Sequence, residues 1–167
     1  MQALSKDNKG IKYILSVIDI FSKFVSIVPL KRKTVQEVAN AFFKIFEERK
    51  PAKMWVDKGR EFYNKDIRKL VELYSTENEE KSCVNKIFNH TIKAKIFKYF
   101  STNSTRKYID VLDKLAYQYN NTVHSSIKMT PVEASLKKNE NKVWRNLYPD
   151  FGVKPQHQNF QLVIMLE

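Results

Sequence analysis

The sequence predicts an α/β domain with a mixed sheet flanked by helices. Three observations carry that reading: two β-rich runs close together near the start, an aromatic stripe at helical spacing just after them, and short strands alternating with long helices further on.

The β-rich runs cover about 12 to 19 and 23 to 30 within IKYILSVIDIFSKFVSIVPL, with a polar break at Ser22 and Lys23, and predict an antiparallel hairpin. Their near-continuous apolar character predicts a sheet covered on one face and partly on the other. Thr34 with Glu37 three residues on forms a capping-box pattern. Val35, Val38, Ala39, Phe42, Phe43 and Phe46 then predict a helix over 34–49, stopped by Pro51 and packing its stripe on the sheet.

A short strand, Ala52 to Val56, leads to Asp57, then a loop and a helix from Lys65 to Val71. Leu73 to Thr76 reads as another strand. The longest helix runs from about Glu79 to Phe100, with Val84, Phe88, Ile92, Ile96 and Phe100 inward. Another spans Ser104 or Thr105 to Asn120, with Tyr108, Val111, Leu112, Leu115 and Tyr119 inward. Thr130, Pro131 and Glu133 mark one more helix start, and Phe160 to Leu166 reads as a strand.

Composition narrows the function. The 167 residues suit one domain with a moderate core. Thirty Lys and Arg against 18 Asp and Glu leave a net charge of +12, which favours a polyanion such as nucleic acid. Only three glycines occur, against a glycine-rich phosphate loop. The single cysteine, Cys83, excludes an internal disulfide framework and a Cys-rich zinc site. No apolar run reaches the roughly 20 residues of a membrane span, so no membrane partner is expected. The polar start is not a signal peptide, so the chain is expected inside the cell, with the nucleus open to it, and not secreted.

Four blocks, in order, are IDIFSKFVSIVPLKRKT, WVDKGREFYN, SCVNKIFNHTIKAKIFKYF and YNNTVHSSIKMTPVEA. Together they resemble the integrase catalytic core of retroviruses and long-terminal-repeat retrotransposons. The likeness covers residues 1–148, truncated at its start. Residues 149–167 resemble the lead-in to that family's small C-terminal barrel. The resemblance implies a ribonuclease H-like fold, DNA as partner, and DNA integration by strand transfer. It also implies two Mg²⁺ ions held by two Asp and one Glu.

Carried over position by position, that site is incomplete. Asp57, in Asp57-Lys58-Gly59-Arg60-Glu61-Phe62, matches the central carboxylate and is the one weak metal-ligand candidate. The strand bearing the first Asp would lie upstream of Met1, so the first strand is expected to be missing and one side of the hairpin unpaired. Asp19 matches the family's own hairpin-turn Asp, and ordering of that turn with Ser22 and Lys23 is its expected role. Asp7, in a polar loop, is a weaker substitute. At the third position Lys86 stands where relatives carry Glu, and the stretch before it is shortened near residues 70 to 73. Glu79 and Glu80 lie about two turns, or 9–10 Å, too early to stand in.

A Lys about 5 Å from a divalent cation, at an effective dielectric near 20, faces a repulsion of about 6–7 kcal/mol. It also lacks the anionic oxygens that hard Mg²⁺ prefers. Productive metal binding and strand transfer are therefore not expected. Lys86, His90 and Lys93 are spaced to share one helix face and are the candidate nucleic-acid contacts, against an ordinary solvated face as the alternative. Asn120, Asn121 and His124 are expected to fix the turn after a helix. Two functional readings follow: a pseudoenzyme of transposable-element origin, or a captured module that binds DNA or multimerises with itself or with full-length integrase. An active enzyme whose true start lies upstream is a third.

Overall fold

The computed structural model describes residues 1–48, 51, 53–56, 72–75, 79–152 and 161–166. Five strands form one sheet: β1 (Tyr13–Asp19), β2 (Val25–Leu30), β3 (Lys53–Val56), β4 (Glu72–Ser75) and β5 (Gln161–Leu166), in the order β2-β1-β5-β3-β4. β1 pairs antiparallel with β2 and with β5, whereas β3 pairs parallel with β4 and with β5. Among the described residues the α-helices are α1 (Val35–Glu48), α2 (Glu79–Asn103), α3 (Ile109–Asn120), α4 (Pro131–Ala134) and α5 (Glu140–Leu147).

β1 explains its own apolar run, because both of its faces are covered. Leu15 and Val17 point to one side and join Val38, Ala39, Ala41, Phe42 and Ile45 of α1, with Met54 and Val56 of β3. Ile14 and Ile18 point to the other and join Phe88, Ile92 and Ile96 of α2, with Tyr108 and Leu112 at α3. The second face is thus covered more fully than expected. Each such aromatic or aliphatic side chain contributes about 1.5–3 kcal/mol by leaving water. On α1 the buried stripe runs through Val38, Ala41, Phe42 and Ile45, while Val35 and Phe43 are exposed. The sequence places those last two inward; the helix is rotated so that Ala41 and Ile45 take their place.

β5 changes the expectation for the hairpin edge. The side of β1 expected to lie unpaired is hydrogen-bonded to β5, from Leu15↔Leu166 to Asp19↔Leu162. Residues read as an extension toward a barrel therefore supply the central strand of the core sheet. β4 also joins β3 in register, Lys53↔Glu72 to Val56↔Ser75, across the connection expected to be shortened. Fifteen residues separate the two strands, enough for a parallel crossover, which needs a dozen or more. The helix expected over Lys65 to Val71 lies outside the described residues.

α3 begins at Ile109 rather than at Ser104 or Thr105. Ser104 takes a left-handed φ of 46°, which ends α2, and a remote side chain caps the next helix. Asn8 is fully buried; its Oδ1 accepts from the backbone N–H of Tyr108 at 2.7 Å and of Ile109 at 3.1 Å. Its Nδ2 donates to the carbonyls of Leu4 and Arg106. All four hydrogen-bonding positions of that amide are used, which satisfies helix donors that have no partner within the helix.

Candidate nucleic-acid interface

α2 carries the candidate contacts, and its inner face fixes where they point. Asn89 is buried, and its Oδ1 accepts from Ser16 Oγ on β1 at 2.9 Å. Phe88 beside it meets Tyr119 of α3 edge-on at 4.9 Å between ring centroids. At about 100° per residue, Lys93, Lys86 and His90 then lie about 40°, 60° and 100° round the helix from Asn89. All three share one sector, as expected, but not one environment. Lys86 and His90 are exposed. Lys93 is half-buried and lines a small cavity with Met1, Ile14, Asn89 and Ile92. Ile87, next to Lys86, is 62 % exposed and adds an apolar spot to the same end of the helix.

Exposure alters the weight of the two arguments against a metal pair here. In water-like surroundings the repulsion between Lys86 and a divalent ion at about 5 Å falls to about 2 kcal/mol. Repulsion alone is then a modest barrier. The donor chemistry decides instead: an ammonium offers no lone pair and no anionic oxygen. Lys86, at the position that the resemblance assigns to a Glu, therefore does not fit Mg²⁺. Asp57 lies outside the described residues, as do the side chains of Glu79 and Glu80. Among the described residues no group of three His, Cys, Asp or Glu side chains converges.

The alternative carboxylates have other work. Asp19 is 2 % exposed, and its carboxylate accepts from the N–H of Phe21 and the hydroxyl of Ser22. Its carbonyl accepts from the N–H of Lys23 at 2.7 Å, and Lys23 Nζ donates to the carbonyl of Ile20. Lys23 holds φ at 61°, a left-handed turn residue over a buried acid. Burial pushes the Lys23 ammonium below its ordinary range, and Asp19 partly offsets this. This is the turn-ordering role expected of Asp19. Asp7 is exposed in a 3-10 turn.

The residues after α3 do more than close a turn. Asn120 is buried and mimics a strand partner: Oδ1 accepts from Val25 N–H at 2.9 Å, and Nδ2 donates to the Val25 carbonyl at 2.8 Å. It thereby pins α3 to the start of β2, a long-range role that the sequence reading missed. Asn121 donates back to the Tyr117 carbonyl, which closes the helix end as expected. His124 bridges to Met129 through its backbone, and its Nδ1 lies 3.0 Å from Ser126 Oγ. Burial, and then Lys23, hold its imidazole below the ordinary range. Burial pushes the Tyr119 phenol up to about 12. Thr130 and Glu133 form the full capping box of α4. Asn8 also went unnoticed in the sequence, because a lone Asn in a polar turn has no periodicity to flag it.

This sheet, sandwiched between α1 and the α2–α3 pair, is the ribonuclease H-like fold of retroviral integrase catalytic cores. The HTLV-2 integrase core solved with magnesium matches with a TM-score of 0.64 over 78 % of this chain and 89 % of that one, at 21 % identity. The BIV integrase core matches with 0.64 over 78 % and 90 %, at 17 % identity. A chain of the simian T-cell lymphotropic virus intasome, in complex with a PP2A regulatory subunit, matches with 0.66 over 91 % of this chain and 54 % of its own, at 20 % identity.

In sequence the chain is 35 % identical over 140 residues to an uncharacterized transposon-derived protein of Caenorhabditis elegans. The match covers 80 % of this chain and 49 % of the relative, so the chain spans about half of that protein's length. No protein-family model matches. Fold and relative together support a transposable-element origin.

Proposed function

We propose that this chain is an integrase core of transposable-element origin that binds DNA through α2 and no longer carries out strand transfer. One observation carries the reading: Lys86 stands exposed on α2 at the position that the resemblance assigns to a metal-binding Glu. A cation there removes a ligand and adds a phosphate contact in the same substitution. His90 and Lys93 extend the contact along the helix, and the net charge of +12 supplies the long-range attraction. The HTLV-2 core was solved with magnesium, so loss of a metal ligand is a loss of the chemistry that the fold supports in its relatives. No step of that chemistry is assigned to this chain.

The test is binding of a labelled DNA duplex across a salt series, beside a Mg²⁺-dependent strand-transfer assay. Binding should weaken steeply as salt rises. Undetectable binding at low salt contradicts the DNA reading. Strand transfer that disappears in Asp57→Ala contradicts the inactivity. A second reading, multimerisation with another copy or with full-length integrase, draws on the dimeric and trimeric forms of the HTLV-2 core. Self-association without DNA binding would favour it.

A further inference from the structure

The sheet is two separate pairs joined by one strand. β1–β2 and β3–β4 share no hydrogen-bonded register with each other; β5 bonds to both. Along one edge it pairs antiparallel with β1 from Leu15↔Leu166 to Asp19↔Leu162. Along the other it pairs parallel with β3 from Lys53↔Gln161 to Val56↔Ile164. Both partners lie more than 100 positions earlier in the chain. No tight turn fixes this register, in contrast to the β1–β2 hairpin, which has its own turn at Asp19 to Phe24.

We propose that the slot between β1 and β3 is a strand-acceptor site, and that β5 of a second copy of this chain fills it to form a strand-exchanged dimer. The geometry asks for an apolar strand antiparallel to β1 and parallel to β3, and Gln161–Leu166 (QLVIML) is such a strand in any copy. Exchange remakes every bond of the closed monomer, so it costs only the difference in connection and in association entropy. An empty slot would leave two unpaired strand edges facing each other, which disfavours the open monomer. Eight residues, 153 to 160, precede the strand, and such a length reaches about 28 Å when extended. The inference stands apart from DNA binding and survives its failure.

Two single-cysteine chains test it, each in a Cys83→Ser background: one with Val17→Cys, the other with Ile164→Cys, positions paired in register. Unfolded together, refolded at rising concentration and oxidised, they should give a disulfide-linked heterodimer on a non-reducing gel. Its fraction should rise roughly in proportion to chain concentration while dilute. The same-chain double variant, Val17→Cys with Ile164→Cys, should crosslink internally in dilute refolding. Internal crosslinks with no heterodimer at any concentration overturn the proposal. So does the absence of both kinds in protein that keeps the far-ultraviolet spectrum of the parent chain. Should these variants fail to fold, Leu15→Cys with Leu166→Cys repeats the test at the other end of the register.

Discussion

The two faces of α2 meet different surroundings. Its inner face is matched residue for residue: Phe88 against Tyr119, Asn89 against Ser16, Ile92 and Ile96 in the core. Its outer face presents Lys86, Ile87 and His90 to solvent. The difference has a physical cause. Every inner contact contributes to folding, and a change there costs kilocalories. An exposed side chain contributes almost nothing to folding, so a change there leaves the scaffold intact.

The sharpest way to break the scaffold side of that contrast is through the central strand. Ile164→Pro removes a backbone N–H and fixes φ in a strand bonded on both sides, so ring strain adds to the cost, about 1–3 kcal/mol, of an orphaned buried acceptor. The expected outcome is loss of the cooperative thermal transition. A transition unchanged in midpoint would show that β5 is not the clasp of the sheet.

Next in size is Asn8→Ala. It strips the cap from α3 and leaves the buried N–H groups of Tyr108 and Ile109 without their acceptor. The expected loss is about 3 kcal/mol, read from the urea midpoint.

A smaller effect tests the burial of His124. Its folded pKa is lowered, so below the ordinary value near 6.5 the unfolded chain binds the proton first. Stability then rises with pH through the window just below 6.5, and it falls as acid is added. His124→Gln should flatten that slope, measured as urea stability against pH. An unchanged slope would place the titrating group elsewhere.

The smallest effect belongs to the outer face. Lys86→Glu should change stability by no more than about 0.5 kcal/mol. It should nonetheless weaken DNA binding and reduce the salt slope by about one, as read by fluorescence anisotropy. A large drop in stability would mean that Lys86 is part of the scaffold and would erase the contrast between the faces.

Much of this was legible in the sequence. The hairpin, the long helices and the Thr130–Glu133 capping box follow from periodicity and end signals. What escaped is long-range. Asn8 and Asn120 each satisfy backbone about 100 positions away, and a lone polar residue in a turn carries no local sign of that. β5 was recognisable as a strand but not as a central one, because its register is fixed by two distant partners rather than by a turn. Val35 and Phe43 were misplaced because α1 offers more apolar residues than one face can bury. Lys86, His90 and Lys93 were legible only as sharing one helix face, from their spacing. The half-burial of Lys93 depended on how Asn89 sets the rotation of the helix.

The most direct test of the central claim measures strand transfer and DNA binding in one reaction. The full chain, Mg²⁺ and a labelled DNA end are mixed at a protein concentration where anisotropy shows the DNA saturated. Full binding with no strand-transfer product is expected, and the same blank result for Asp57→Ala. A product that forms with the parent chain and vanishes with Asp57→Ala would contradict it.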